Sequence, residues 1–295
     1  MSWLMNFPQL SDSFLFNLKQ TVDDWYRGFS TGYGDAIEAF FHPLQIFLNV
    51  ADKFFTTTPW PIIVLLIAGV AWFASKSWKI VSGSVVILLV IGLFGMWDDT
   101  MRTISMILVS TIVSVVCGIP IGILTSCSNR ASKIIKPILD VMQTMPSFVY
   151  LIPVVMLLGI GKVPGLIAVV IYAIPPIIRL TDLGLRQVDI EVLEAADAFG
   201  SSLWQKLRNV QIPLALPAIM TGINQTIMMA LAMVVVAAMI GVQGLGQPVL
   251  KAIANQYFTL GILNGMAIVG VAVIFDRASQ AYGKRLQKHL EIVHG

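Results

Sequence analysis

Charge is what this sequence has least of. Only 12% of its 295 residues are Asp, Glu, Lys or Arg, while 57% are hydrophobic. A mean hydropathy of +0.82 is far above that of a water-soluble domain, so the chain reads as an integral membrane protein, all-helical in its spans. The net charge of +3 is small and the basic residues are spread over short segments, which argues against nucleic acid as a partner. The chain has two cysteines, Cys117 and Cys127, both in or at the end of one apolar segment. Their spacing suits no metal, and no disulfide is expected. The three histidines, His42, His289 and His294, have no carboxylate or cysteine at ligand spacing, so neither a metal site nor a catalytic group is expected. A phosphate-binding glycine loop is also missing, and the chain is not expected to hydrolyse ATP itself. Met1 to Gln20 has no basic head followed by an apolar core, so no cleavable signal peptide is expected.

What is present is a series of apolar runs. Residues 1–58 are mixed in polarity and span nothing. There Ile37, Phe40, Phe41, Leu44, Phe47, Leu48, Ala51, Phe54 and Phe55 recur at helical spacing, opposite Glu38, Gln45, Asn49 and Asp52. This predicts an amphipathic helix lying in the membrane interface or covering the bundle, bent or broken at Pro43. About seven spans follow: Trp60–Ala74, Ile80–Trp97, Thr103–Asn129, Val141–Ile160, Val163–Leu180, Ala218–Ile240 and Gly261–Phe275. Trp60, Trp78 and Trp97 stand where aromatic belts form. The chain thus divides into the segment 1–58, two peripheral scaffold spans over 59–97, a core over 98–277 and a basic tail over 278–295.

The basic residues set the orientation. With the C-terminus inside, thirteen of them fall on the inner side and six (Lys19, Arg27, Lys53, Arg102, Lys162 and Lys251) on the outer. The positive-inside rule therefore puts the N-terminus outside and the C-terminus in the cytoplasm.

One polar stretch interrupts the core. Residues 182–217 carry Asp182, Arg186, Asp189, Glu191, Glu194, Asp197, Lys206 and Arg208, and the same rule makes this hairpin cytoplasmic. Gln187–Phe199 reads as a short amphipathic helix with Ile190, Leu193 and Ala196 on one side. Gly200 follows it as a helix stop. Ser202 to Gln205 matches a capping box and predicts a second short helix from Leu203 towards Val210, with Pro213 and Pro217 closing the hairpin. A solvated loop is the plain interpretation. Against it, Ile190, Leu193, Phe199, Leu203 and Trp204 would be stranded in water without a partner surface.

The spans contain helix breakers. Pro146, Pro153, Pro164, Pro175 and Pro176, with Gly159, Gly161 and Gly165, fall in the fourth and fifth, and Gly241, Gly244, Gly246 and Pro248 follow the sixth. Irregular backbone at membrane depth is tolerated only against protein or a water-filled path. These segments therefore mark either a translocation path with its gate or packing kinks. Met229 and Met233 lie among small residues on the sixth span, a composition that suits a sliding surface and equally a core. Phe148, Tyr150 and Tyr172 are candidate aromatic contacts for a cation.

A resemblance joins these features. Glu194-Ala195-Ala196, then Gly200 and Ile212-Pro213-Leu214, resemble the EAA loop of permease subunits in binding-protein-dependent ABC importers. Residues 142–165, 174–188 and 222–246 resemble the glycine betaine/proline betaine permeases of that class. The likeness extends over roughly residues 101–282. It implies a type I permease fold in the cytoplasmic membrane and a homodimer. It also implies two ATPase subunits that hold ATP and Mg, and a substrate-binding protein on the outer side. Glu194, Ala195, Ala196, Gly200, Ile190, Leu193 and Phe199 would then couple to the ATPase. The competing class is an ion-coupled secondary transporter of small amines or amino acids, which needs ionisable residues within its spans. Only Asp140 and Asp276, near span ends, approach that description.

Overall fold

The computed structural model describes residues 10–294, with the side chains of 35 and 287–294 outside the description. Met1 to Gln9, part of the segment judged for a signal peptide, and the side chains of His289 and His294 therefore lie outside the described residues. Every regular element among the described residues is helical.

The first helix, α1 (Asp12–Thr57), has 46 residues and is about 70 Å long. It continues through Pro43, so of the bend or break expected there the break does not occur. At the turn Thr58–Pro59 the chain bends by 113° into α2 (Trp60–Ser75). α3 (Trp78–Leu93) returns alongside α2. α4 (Trp97–Cys127) follows as a 31-residue apolar helix. α5 (Asn129–Thr144) and α6 (Leu151–Leu158) are separated by Pro146 and a 3-10 turn, with a bend of 112°. α7 (Lys162–Ala173) and α8 (Pro175–Arg186) form one 25-residue segment. Then come α9 (Ile190–Ala198), α10 (Leu203–Lys206), α11 (Ile212–Ala237), α12 (Gly246–Asn255) and α13 (Phe258–His294).

Among the described residues, four helical stretches are long and apolar enough to cross a membrane, or up to six if each bent pair counts as one span; α3 is a shorter apolar helix. The predicted fourth span, Val141–Ile160, is not one helix. Its first residues belong to α5, an amphipathic helix starting at Asn129, because Pro146 lacks an amide donor and disfavours helical geometry at Met145.

Contacts sort the elements into two ends. At one lie the α2–α3 turn, the end of α4, the hairpin after α8 and the late part of α13. Arg285 donates to the Phe73 carbonyl at 2.7 Å and Arg186 to the Thr125 carbonyl at 2.6 Å there. At the other, Asp52 of α1 pairs with Lys162, and Arg102 donates to Gln243 at 2.7 Å. Arg102 and Lys162 thus lie at one end of the bundle, and Arg186 and Arg285 at the other.

The core is the packing of α4, α8 and α11, and glycines set its spacing. A Cβ on Gly118 would strike Ile177, and one on Gly122 would lie 2.5 Å from Thr181 Cβ and 2.9 Å from the Ile178 carbonyl. On Gly184 it would lie 2.7 Å from Ala218 Cβ. Lipid-embedded helices gain little from the hydrophobic effect between themselves, so such close approach, with its dispersion contacts, holds them together.

Candidate functional site: a helical hairpin at one end of the bundle

The structure draws the hairpin tighter than the charge pattern did. Asp182 and Arg186 belong to α8, and Asp182 is 4% exposed. The projecting part runs from Gln187 to Lys206. α9 starts at Ile190, three residues later than its periodicity suggested, because the Asp189 carboxylate accepts the Glu191 amide at 2.9 Å and caps the first turn. At the far end Gly200 takes φ +73°. The Ser201 amide reaches back to the Ala196 carbonyl at 3.1 Å and that of Gly200 to the Asp197 carbonyl at 2.9 Å. A left-handed glycine closing the last carbonyls is what reverses the chain.

The capping box expected at Ser202 is present. Its hydroxyl accepts the Gln205 amide at 3.4 Å, and the Gln205 side chain accepts the Ser202 amide at 2.9 Å. Lys206 donates to both carboxylate oxygens of Asp197, at 2.6 and 2.8 Å, and closes α10 onto α9. The second helix does not end near Val210. α10 continues through a π-helical turn at Leu207–Gln211 into α11, making one helical run from Leu203 to Ile240. The wider turn leaves room beside the Asn209 carbonyl, which the Pro213 ring would otherwise strike. Pro213 and Pro217 therefore lie within the helical run. The knob is rooted directly in a long helix of the core.

Its surface is apolar where water would be expected. Phe199 is 91% exposed, Leu203 82%, and Ile190 and Trp204 68% each. Glu194 and Ala195 are exposed beside them, while Leu193 and Ala196 are half-buried on α9, which packs on α10 and the π-helical turn. The predicted stripe of Ile190, Leu193 and Ala196 is thus divided. Ile190 joins the exposed patch, and the other two hold the knob together.

The candidate path residues scatter more widely. Tyr150 is buried, donates to the Met142 carbonyl, and meets Tyr172 edge-on with ring centroids 6.0 Å apart. Phe148 is exposed, as is Pro146 at the α5–α6 bend. Pro175 is buried at the start of α8 and Met233 is buried in α11, whereas Met229 is half-buried. Gly244 and Gly246 are buried in the connection after α11. Gly244 has φ +137°, and a Cβ there would lie 2.5 Å from Thr103 Oγ1. The same hydroxyl accepts the Leu245 amide at 2.9 Å, so this loop is clamped onto α4. Sequence reasoning missed that clamp and the buried Asp182. An acid one turn before Arg186 is the available signal, but on charge alone it reads as part of the loop.

A bundle of apolar helices, four of them among the described residues long enough to cross a membrane, with an exposed apolar knob on a polar hairpin, defines a multi-pass membrane protein. The family profile described as "Binding-protein-dependent transport system inner membrane component" matches residues 114–288, and the chain belongs to that family. It is 49% identical over 229 residues to the glycine betaine/carnitine transport permease protein GbuB of Listeria monocytogenes, covering 77% of this chain and 81% of the relative. It is 46% identical to the glycine betaine/proline betaine permease protein ProW of Escherichia coli, covering 82% of this chain and 68% of that one. With the glycine betaine permease protein OpuAB of Bacillus subtilis it shares 41% identity over 89% and 93% of the two chains. Among solved structures, a chain of the inward-facing MetNI methionine ABC transporter superposes with a TM-score of 0.58 at 20% identity, covering 63% of this chain and 93% of that one. That likeness establishes the type I permease fold. The chain is a permease subunit of an ABC importer, and the ion-coupled alternative is set aside.

Proposed function

We propose that the chain forms the translocation path of an ATP-driven importer for glycine betaine, proline betaine or a related quaternary ammonium osmoprotectant. The cargo class is supported by the similarity to permeases bearing those names. Two copies of the chain would pair, take up two ATPase subunits that carry ATP and Mg on the inner side, and receive cargo from a binding protein outside. Seven passes, with α5 and α6 together making one, would put the N-terminus outside and the C-terminus in the cytoplasm. The bend of 113° between α1 and α2 supports an α1 that lies along the outer membrane surface.

The observation that carries the mechanism is the exposed cluster of Ile190, Phe199, Leu203 and Trp204 on a helix–turn–helix knob continuous with α11. A helix laid in a groove of the ATPase buries this cluster, and closure of the two ATPases then drags the knob. Because α10 and α11 are one helical run and α8 leads directly into α9, that displacement reaches the core and switches it between inward- and outward-facing states. Glu194, beside the patch, is placed to hydrogen-bond or pair with the ATPase. Ala195 and Ala196 permit close packing, and Gly200 turns the chain. Cargo need meet only a weak site here. A quaternary ammonium has no N–H donor and is held best by aromatic faces, of which Tyr150 and Tyr172 are the nearest pair to the α5–α6 bend.

The test is glycine betaine uptake by the complex reconstituted with its ATPase and binding protein. Glu194→Ala and Gly200→Val are expected to insert and still retain the ATPase while losing ATP-dependent uptake. Undiminished coupled uptake in both, or labelling that puts Glu194 on the outer side, would sink the assignment.

A further inference from the structure

The helix α5 is held to the core in an unusual way. Only Ser132 and Leu139 of its sixteen residues are buried, so it has little packing against the bundle. Two ion pairs tie it to α8 instead. Lys136 Nζ lies 3.0 Å from Asp182 Oδ2, and Asp140 pairs with Arg179. Lys136 and Asp140 are one turn apart on α5, as Arg179 and Asp182 are on α8, and the helices run antiparallel. The two pairs are therefore successive rungs of one ladder. The Asp182 rung is braced further. Arg186 Nε donates to Asp182 Oδ1 at 2.8 Å, and its other nitrogens donate to Asn129 Oδ1 at 3.1 Å and the Thr125 carbonyl at 2.6 Å. One buried carboxylate thus gathers α4, α5 and α8 at the root of the hairpin.

A buried carboxylate satisfied by two cations is weak evidence for stability, since well-packed apolar residues often do as well. It is better suited to fixing one arrangement of helices that share little apolar contact. We infer that this ladder transmits hairpin motion to the bent α5–α6 arm, with Asp182, Lys136, Asp140 and Arg179 as positioning residues. α8 is the stalk of the hairpin. α5 leads through Pro146 to Tyr150, which meets Tyr172 of α7. Pushing α8 carries α5 by its charges and moves the arm on which Tyr150 sits. The inference rests on the coupling role proposed for the hairpin.

The experiment measures ATP hydrolysed per radiolabelled glycine betaine imported by the full complex in proteoliposomes. Asp182→Asn and the single reversals Asp140→Arg and Arg179→Asp are expected to raise that ratio about fivefold, the low end of a typical coupling between sites, with the ATPase still bound. The double reversal D140R/R179D restores it, because the rung re-forms with the charges exchanged. Should a reversal fail to insert, Asp140→Asn and Arg179→Gln measure the same rung without repulsion. Wild-type ratios in the single variants overturn the inference. So does a joint fall in hydrolysis and uptake that the double reversal leaves unrepaired, which would mark the pairs as merely structural. If the wild-type complex itself does not couple hydrolysis to glycine betaine uptake, the underlying assignment fails first, and the two failures are told apart by that control.

Discussion

Glycine does opposite work in the core and in the knob. Between α4, α8 and α11, Gly118, Gly122 and Gly184 are needed because a neighbour already occupies the space a Cβ would take. At Gly200 nothing lies within 4 Å of that space, and the residue is needed because φ is +73°. The first region is closed on itself, with backbones too near for any side chain. The second is locally complete, capped at both ends and pinned by Lys206, yet it leaves Phe199 and Leu203 in solvent. A movable subunit needs this pairing: a body stiff enough to shift as one piece, and a handle whose surface is unfinished until the motor arrives.

The largest effect should therefore come from the core. Gly122→Val places a branched side chain against Thr181 Cβ and a backbone carbonyl that cannot turn away. Overpacking of this kind costs roughly 1–3 kcal/mol, occasionally more, and here it separates α4 from α8. The expected outcome is a lower melting temperature in detergent and little assembled complex, whereas Gly200→Val, strained at its positive φ but outside the packed core, lowers the melting temperature far less. Equal melting of the two variants would erase the distinction between the regions.

Next in size is the handle. Phe199→Ala with Leu203→Ala removes two of the most exposed apolar side chains of the knob without touching its caps. Buried anchors of an interface cost about 2 kcal/mol or more each when truncated, so ATPase capture should fall about a thousandfold or more while melting is unmoved. Retention of the ATPase at wild-type affinity would show that this patch faces lipid or another surface.

Much of this was legible in the residues. Hydropathy locates the apolar runs, and the capping box, the glycine stop and the stranded apolar residues mark the knob in the residues alone. The failures have particular causes. Asp182 reads with the loop because charge signals water, yet Lys136 and Arg186 satisfy it within the bundle. The partner that reverses the inference, Lys136, lies 46 positions away and shares no local pattern with it. Pro213 and Pro217 read as closing the hairpin, whereas a π-helical turn accommodates the first and places both within the run from α10 to Ile240. Pro43 likewise sits inside a continuous α1. Proline announces a missing donor and a steric clash, but whether the helix ends or widens depends on tertiary support. Gly244 was suspected as a gate from its helix-breaking character. Its clamp on Thr103 depends on the approach of α4, 141 residues earlier in the chain, and only the fold displays it.

The smallest expected effect probes how finished the knob is without its partner. Asp197 is 54% exposed at its side chain and pairs with Lys206, which is 16% exposed, so the bridge joins α9 to α10 at the surface. An exposed pair of this kind is worth about 0.2–1 kcal/mol and is screened by salt. Asp197→Ala should thus leave melting and ATPase capture within about 1 kcal/mol of wild type. Amide exchange in α9 should quicken and lose its dependence on ionic strength, because the capping box and the Gly200 turn remain to hold the hairpin. A collapse of ATPase capture in this variant would mean that the pair, and not the caps, shapes the handle. The knob would then be a surface ordered by one ion pair, and its difference from the close-packed core would be one of degree.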